Sequence, residues 1–247
     1  MELITRRTRL KSARQTQLLK ATEKIQNALL DSIAQDLRTP LVSIQGALSY
    51  LQEDTLTLDE ARRHSLIDNA AEEADRLNRF IRNLLDMARV DGEAFLLVVE
   101  PYDVEDVIGS ALERVGYLLK DRKVNVSVPP SIPLVPMDGV LIVKALVNLL
   151  ENAIKYSLPD APIEVQARIT GLDLEIAVAD RGMGIPFNDL SHVFDKFYRV
   201  PRPEGGIGTG LGLSICKRII EAHGGTVIAE NRNGGGAVVK VRLPLAE

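Results

Sequence analysis

Residues 205–213 read GGIGTGLGL and lead into a predicted helix over residues 213–223. Glycines let a backbone approach an anion closely, and the N-terminus of a helix adds positive potential. The stretch is not a Walker loop, because the terminal Lys-Ser/Thr pair is missing, and it is a poor dinucleotide fingerprint, because no strand immediately precedes it. An anion-binding loop is therefore predicted, and a mobile loop without a ligand is the alternative for this segment alone.

A second segment, NLLENAIKYS at residues 148–157, lies in a predicted apolar helix over residues 141–156. Spacings of three and four residues place two amides, a carboxylate and an ammonium on one face of that helix. These residues are Asn148, Glu151, Asn152 and Lys155. An amide oxygen can bind Mg²⁺ and a lysine can neutralise phosphate. A solvated helix face is the alternative, which is weakened because Asn is a poor residue in the middle of a helix.

A third segment, DRGMGI at residues 180–185, directly follows a predicted strand. The Asp180 carboxylate, at the end of the strand, can accept a hydrogen bond from an exocyclic amine. Gly182 and Gly184 would let a planar base lie close to the backbone. A base-binding pocket is predicted here, and a plain turn is the alternative for a motif this short.

A fourth segment, FDKFYR at residues 194–199, precedes the glycine-rich loop. It contains three aromatic residues and two cations, Lys196 and Arg199. This composition suits a hinge that is clamped by aromatic side chains, with its cations directed toward phosphate.

The N-terminal part of the chain is predicted to form a helical hairpin. Apolar residues recur every three or four positions from Ile25 to Leu51 and again from Ala61 to Ala88, with a turn around residues 54–58. Pro40 lies inside the first stripe, where it should remove a backbone hydrogen bond and kink the helix. The apolar face of such a hairpin needs a cover, either a second copy in a four-helix bundle or the rest of the same chain.

After Asp91-Gly92 the sequence changes to short strands alternating with helices, which predicts an α/β sandwich. The sheet should be mixed and largely antiparallel, with helices on one face. Four prolines between residues 129 and 136 predict a loop. Strands are predicted over residues 95–99, 124–128, 163–169, 172–179, 226–230 and 237–243, and helices over residues 104–119, 141–156 and 213–223.

Composition excludes several classes of protein. The 247 residues are 45% hydrophobic and 26% charged, which is ordinary globular usage. A net charge of −4, few aromatic residues and no Trp do not indicate nucleic acid binding. One cysteine rules out an internal disulfide and a multi-cysteine metal site. The chain as given is expected to be cytoplasmic, and its abrupt start in helical sequence predicts the cytoplasmic portion of a membrane-bound protein, with any membrane contact made through upstream segments.

The four segments, in this order, resemble the N, G1, F and G2 boxes of the ATP-binding domain of sensor histidine kinases, which belongs to the GHKL group with gyrase, Hsp90 and MutL. The resemblance covers roughly residues 101–245 and implies ATP and Mg²⁺ as cofactors. It implies that Asn152 holds the metal, with Asn148 and Glu151 assisting. It implies that Lys155 contacts phosphate and that Tyr156 lies near the nucleotide. It also implies that Asp180 accepts a hydrogen bond from the adenine amine, in a pocket shaped by Gly182 and Gly184. The implied lid contains Gly206, Gly208, Thr209, Gly210, Leu211 and Gly212, and Lys196 and Arg199 are further nucleotide-binding candidates.

The hairpin is similar to the dimerisation and phosphoacceptor domain of the same family, and residues 32–41, SIAQDLRTPL, resemble its H box. The amino-acid sequences of this box and of the C-terminal segments resemble those of the potassium-sensing, Kdp-type sensor kinases. The resemblance implies a homodimer and phosphotransfer to a response regulator receiver domain in a two-component system. It divides the chain into a signalling or linker helix (residues 1–24), the hairpin (residues 25–91) and the ATP-binding domain (residues 92–247).

One departure from the family pattern concerns the phosphoacceptor. Gln35 stands where the H box carries its histidine, and the three histidines, His64, His192 and His223, lie outside the box. An amide nitrogen is not a useful nucleophile because its lone pair is delocalised into the carbonyl. The chain is therefore predicted to belong to the histidine protein kinases (EC 2.7.13.3 type) but to lack autophosphorylation.

Two explanations of Gln35 remain open. It is either an engineered replacement, which the intact neighbours Asp36 and Thr39 favour, or a natural change in a member that acts as a non-catalytic, ATP-binding dimeric switch. Asp36 would orient an imidazole at the acceptor position. Thr39 could position a water that hydrolyses the acyl-phosphate of a partner, so phosphatase activity is expected to remain. A different ATPase of the same superfamily would not need the hairpin.

Overall fold

The computed structural model describes residues 33–52, 59–90, 96–201 and 210–245. The chain divides into two compact units, residues 1–82 and 83–247. The first unit contains helix α1, described over residues 33–52, and most of helix α2, Glu60–Val90. Both long helices were predicted, and α1 continues through Pro40. The predicted turn around residues 54–58 and the start of the first apolar stripe lie outside the described residues.

The apolar stripes of the two helices are only partly covered. Ala47 and Phe80 are buried, with 8% and 3% of their surface exposed. Four other stripe residues expose about half of their surface, namely Leu41, Leu48, Ile67 and Leu85. Within the described parts of helices α1 and α2, several apolar side chains therefore remain at the surface.

The second unit is an α/β sandwich of the predicted class. Its described elements are β1 (Glu100–Tyr102), α3 (Val104–Leu119), β2 (Val124–Ser127), β3 (Val135–Met137), α4 (Gly139–Tyr156), β4 (Ile163–Thr170), β5 (Asp173–Ala179), a 3₁₀ helix (Phe187–Asp189), α5 (Gly212–Ala222), β6 (Thr226–Asn231) and β7 (Ala237–Pro244). The β4–β5 hairpin turns through Gly171, whose φ of 65° suits glycine.

The main sheet has five strands in the order β2-β4-β5-β7-β6. Strands β2 and β4 pair in parallel, and the other neighbours are antiparallel, as predicted. The register aligns Ala167 with Ile176 and Ile176 with Val241, and all three side chains are buried on the face that carries the helices. The core thus lies between one face of this sheet and helices α3, α4 and α5.

Two predictions about the start of this unit were wrong. Described residues 96–99 form no strand, and Leu96, Val98 and Val99 are largely exposed; the strand begins at Glu100. The proline-rich loop contains strand β3, which pairs with β1 in a separate two-stranded sheet. Pro101 faces Pro136 in that ladder, a pairing in which neither residue has an N–H to donate. Val135 and Met137 on either side of Pro136 are fully buried, so burial outweighs the local turn signals.

The other face of the main sheet is polar and carries two carboxylates that each contact two arginines. Glu175, which is 1% exposed, accepts hydrogen bonds from Arg168 and Arg242. Burial alone would raise the pKa of Glu175, but the hydrogen bonds and charges of the two arginines outweigh it and lower the pKa below its ordinary value. Glu164 forms the second cluster of this kind, with Arg181 and Arg232. Both carboxylates are therefore paired and ionised at neutral pH.

Candidate functional site

Helix α4 brings two of the predicted amides to the start of helix α5. Asp138 caps α4 by accepting a hydrogen bond from the N–H of Leu141, and the apolar face of α4 packs in the core. A Cβ built at Gly212 would lie 3.6 Å from Asn148 Oδ1 and 3.8 Å from Asn152 Nδ2. Both amides therefore lie beside the first turn of α5, whose N–H groups have no partner within the helix.

Asn148 carries an unsatisfied buried group. Its side chain is only 6% exposed, and within the described part of the chain Nδ2 has no hydrogen-bond partner. Leaving a buried donor unpaired costs about 1–3 kcal/mol. An unpaired N–H donor beside a helix N-terminus fits a phosphate oxygen or a water bound to a cation. The sequence predicts that the amide oxygen of Asn148 aids Mg²⁺ binding, and that role stays a prediction.

Lys155 and Tyr156 form a local pair at the end of α4. The Lys155 ammonium donates a hydrogen bond to the Tyr156 hydroxyl over 2.9 Å and lies 4.5 Å from the centre of the tyrosine ring. Lys155 is exposed, whereas Tyr156 and Glu151 are half-buried. The pair holds a positive charge at the solvent edge of the same helix face.

The Asp180 carboxylate is held by backbone donors at one of its two oxygens. Oδ1 accepts hydrogen bonds from the N–H groups of Gly182, over 2.7 Å, and Ala237, over 3.2 Å. Asp180 is 9% exposed, and within the described residues its side-chain hydrogen bonds all end on Oδ1. Oδ2 is therefore the oxygen that can accept a hydrogen bond from a ligand.

Gly182 packs the loop that follows Asp180 against the end of helix α4. A Cβ at Gly182 would lie 2.0 Å from the Tyr156 carbonyl oxygen, and Gly182 pairs with Ser157 in an isolated antiparallel bridge. Gly184 has a φ of 74°, and a Cβ there would lie 2.7 Å from Asn231 Oδ1. The Asn231 side chain in turn accepts from the N–H of Ile185 and donates to its carbonyl. Gly182 is thus required by close backbone packing, and Gly184 by its positive φ and the nearby Asn231 side chain.

The FDKFYR segment is attached to the C-terminal end of the glycine-rich loop. The Phe197 N–H donates to the Gly210 carbonyl over 3.0 Å, and both residues have positive φ angles, 63° and 68°. The Tyr198 hydroxyl donates to Asp189 over 2.6 Å, and this hydrogen bond is the main reason that the pKa of Tyr198 is raised. Lys196 and Arg199 are exposed. The predicted lid residues Gly206, Gly208 and Thr209 lie outside the described residues.

Gln35 lies in the first unit, on helix α1, and is exposed. The Thr39 hydroxyl, one turn later, donates to the Gln35 carbonyl over 3.1 Å. Asp36 is half-buried. The side chains of residues 35 and 39 are therefore both at the surface of the same helix.

The described residues contain no group of three or more His, Cys, Asp or Glu side chains that could hold a metal ion. A cation in the second unit would depend on the amide oxygens of α4, as the sequence predicts. Within the described ranges, no helix is long and apolar enough to cross a membrane.

Two contributors to the site were not predicted from the sequence. Arg232 donates a hydrogen bond to the Asp180 carbonyl over 3.2 Å, although 52 positions separate them. His223, at the end of α5, accepts a hydrogen bond from the N–H of Asp138 over 3.0 Å and so connects α5 to the cap of α4. Neither contact has a local sequence signal, because both partners lie on different elements.

Comparison with known proteins agrees with this geometry. The family model described as "Histidine kinase-, DNA gyrase B-, and HSP90-like ATPase" matches residues 137–247, and the model described as "His Kinase A (phospho-acceptor) domain" matches residues 25–93. The structure of the mycobacterial sensor histidine kinase MprB is 32% identical, covers 60% of this chain and 97% of its own, and has a TM-score of 0.53. This chain belongs to the sensor histidine kinase family.

The resemblance to Kdp-type sensor kinases is also confirmed. Sensor protein KdpD of Escherichia coli (strain K12) is 40% identical over 237 residues, which is 94% of this chain and 26% of that protein. The histidine kinase chain therefore spans about a quarter of the length of this relative. ThkA, in a crystal structure with the response regulator protein TrrA, shares the fold at 20% identity with a TM-score of 0.71, covering 92% of this chain and 64% of its own. The ATPase family implies that the chain binds ATP.

The contact between Gly210 and Phe197 generates a prediction for stability. Gly210→Ala should lower the free energy of unfolding by about 1–2 kcal/mol, because a side chain is unfavourable at a positive φ. It should lower it by about 1–3 kcal/mol more through overpacking, because the new Cβ would lie 2.6 Å from the Phe197 carbonyl carbon. Gly171→Ala is the matched control, since Gly171 has a φ of 65° and nothing within 4 Å of its Cβ position. Urea unfolding of both variants measures the difference, and equal losses would contradict the proposed contact.

Proposed function

We propose that this chain is the catalytic core of a two-component sensor histidine kinase and binds ATP together with Mg²⁺ in its second unit. The observation that carries the proposal is the meeting of Asn148 and Asn152 with the start of α5, which leaves a buried amide without a described partner. The family models support the same role for this unit.

The residues present fit such a ligand. We infer that Asn152 holds Mg²⁺, with Asn148 and Glu151 assisting, because amide and carboxylate oxygens suit a hard cation. Bound Mg²⁺ would offset the negative charge of the phosphates. Lys155 and the α5 N-terminus would contact phosphate, and Gly206, Gly208, Thr209, Gly210, Leu211 and Gly212 would form the lid, with Lys196 and Arg199 as further contacts.

Asp180 is proposed to select the base. Its Oδ2 would accept a hydrogen bond from the adenine amine, while Oδ1 is held by two backbone donors. Gly182 and Gly184 carry no side chains that could block a base at their positions in the adjoining loop, and the Tyr156 carbonyl packs against Gly182. A buried acceptor of this kind discriminates strongly against bases that lack the donor.

The residue at position 35 leaves two candidate functions. In the parent reaction a histidine would accept the γ-phosphoryl group, and Asp36 would orient its imidazole. Gln35 has no basic nitrogen, so we infer that this chain binds ATP without phosphorylating itself. The second candidate is a non-catalytic, ATP-binding dimeric switch, which the amide at the acceptor position favours.

Nucleotide binding and label transfer test both candidates. Calorimetry with Mg-ATP should show binding to the unaltered chain and to Asp36→Asn, and binding should weaken at least about tenfold in Asp180→Asn, because one charged hydrogen bond is lost. With γ-labelled ATP, Gln35→His should acquire acid-labile label, and the unaltered chain should not.

The outcomes separate the candidates. Absence of ATP binding would contradict the proposed function as a whole. Stable phosphohistidine label on the unaltered chain would contradict the inferred loss of autophosphorylation. A Gln35→His chain that binds ATP and stays unlabelled would favour the switch.

We further propose that the chain dephosphorylates a response regulator receiver domain. Thr39 would position the attacking water, since its hydroxyl is exposed one helical turn from residue 35. With a Kdp-type response regulator charged by acetyl phosphate, Thr39→Ala should slow loss of phosphate about 10²-fold. Thr39→Ser, which keeps the hydroxyl, is the control, and an unchanged rate in Thr39→Ala would remove this role.

We also propose a homodimer formed through helices α1 and α2. The His Kinase A family match and the half-exposed residues Leu41, Leu48, Ile67 and Leu85 support it. Sedimentation equilibrium should give about twice the chain mass of 27.1 kDa. Leu48→Glu should weaken the dimer, whereas Tyr50→Glu, at an exposed position on the other side of α1, should not. A monomer for the unaltered chain would contradict the proposal.

We propose domain limits at residues 24/25 and 91/92. The match to the phosphoacceptor family begins at residue 25 and ends at residue 93, close to both limits. We infer that the chain works in the cytoplasm, where ATP is supplied, as a portion of a membrane-bound sensor. The chain matches 26% of the length of the E. coli relative, which supports the proposal that it is a portion of a larger sensor.

A further inference from the structure

A three-residue ion-pair cluster lies on the polar face of the sheet beside Asp180. Glu164 Oε1 is 3.2 Å from Arg181 Nη2, and Glu164 Oε2 is 2.8 Å from Arg232 Nη2. Each oxygen of the carboxylate therefore serves a different arginine. The strand register explains the location, because Glu164 pairs with Ala179, the residue before Asp180, and Arg181 is the residue after it.

Arg232 connects this cluster to the backbone of Asp180. While Nη2 contacts Glu164, Nη1 of the same guanidinium donates to the Asp180 carbonyl over 3.2 Å. The Arg232 side chain is only 18% exposed. A planar guanidinium can make both contacts in one fixed orientation, which a lysine ammonium with a single nitrogen cannot.

The turn that follows Arg232 packs closely against the same carbonyl group of Asp180. The Arg232 N–H donates to the Gly236 carbonyl over 3.0 Å, which closes the turn between β6 and β7. Gly236 has a φ of 93°, and a Cβ there would lie 2.1 Å from the Asp180 carbonyl oxygen. Next in the chain, the Ala237 carbonyl accepts a hydrogen bond from the Asp180 N–H over 2.9 Å, and the Ala237 N–H donates to Oδ1 over 3.2 Å. The turn therefore sets the position of both the main chain and the carboxylate of Asp180.

The charge state of the cluster supports a permanent contact. The hydrogen bond from Arg232 is the largest influence on Glu164, and with the Arg181 contacts it outweighs burial and lowers the pKa of the carboxyl below its ordinary value of 4.5. Glu164 is thus ionised at neutral pH and holds the guanidinium of Arg232 by charge as well as by hydrogen bonding.

We propose that Arg232, held by Glu164, is a positioning residue for base selection: it fixes the Asp180 backbone so that Oδ2 can meet the exocyclic amine of adenine. The inference rests on the proposed role of Asp180 in ATP binding. It assigns to the polar sheet face a part in nucleotide specificity, through a residue that does not itself contact the base.

The second carboxylate cluster provides a matched control. Glu175 lies between Arg168 and Arg242 on the same sheet face, with Arg242 Nε 2.8 Å from Glu175 Oε2. In the described residues, neither arginine is hydrogen-bonded to Asp180. Because Glu175 is 1% exposed and Glu164 is 22% exposed, loss of Arg242 should destabilise the fold at least as much as loss of Arg232.

The experiment compares binding of Mg-ATP and Mg-ITP to the full chain, since the inosine base has an oxygen where adenine has its amine. Arg232→Met should reduce the preference for ATP over ITP about tenfold. Arg242→Met should lower thermal stability yet leave that preference unchanged. Arg232→Lys should restore part of the preference, and Glu164→Gln, which keeps the shape of the side chain, should reduce it in the same direction as Arg232→Met.

A general loss of stability would lower binding of both nucleotides in parallel, so the ratio isolates positioning. An unchanged ratio in Arg232→Met, or an equal fall in Arg242→Met, would overturn the inference. If Arg232→Met does not fold, as shown by circular dichroism, an unchanged ratio in Glu164→Gln overturns it. Absence of ATP binding by the unaltered chain would instead contradict the proposed function, and this inference with it.

Discussion

Helix α4 packs against the sheet, α3 and α5, and the core of the second unit depends on this packing. The same helix carries the polar residues that are proposed to contact a nucleotide. Its buried residues include Ile142, Leu149 and Leu150, each of which contributes about 1.5–3 kcal/mol by burial. The same helix buries Asn148 with an amide nitrogen that has no partner among the described residues, at a cost of about 1–3 kcal/mol. The apolar face is large enough to offset that cost. The fold can therefore hold an unsatisfied group where a nucleotide is proposed to bind.

The motifs around this helix are joined by direct backbone packing. The contacts of Gly182 with Tyr156, of Gly210 with Phe197 and of Gly236 with Asp180 all place a virtual Cβ between 2.0 and 2.6 Å from backbone atoms of the partner. Any side chain at these positions would push the segments apart. Glycine at these positions thus lets segments that are distant in sequence pack against one another.

The two units carry different parts of the proposed reaction. Gln35 and Thr39 lie on a surface helix of the first unit, whereas the residues that fit ATP lie in the second. The proposed acceptor position and the proposed nucleotide-binding residues therefore belong to different units. Changes at residue 35 and changes in the proposed nucleotide site can therefore be tested separately, by label transfer and by ATP binding.

The sequence by itself determined the local elements and the motif residues of this protein. Helical periodicity predicted α2, α3, α4 and α5, Gly171 marked the β4–β5 hairpin, and four ordered motifs indicated the family, because each of these signals is carried by residues close together in the chain. Tertiary structure decided what depends on distant partners. Strand β3 forms within a proline-rich stretch because Val135 and Met137 can be buried, and Phe197 adopts a positive φ as its N–H meets Gly210. Arg232 reaches Asp180 across 52 positions because β6 pairs with β7 and β7 pairs with β5 in one register, and no local pattern encodes that register.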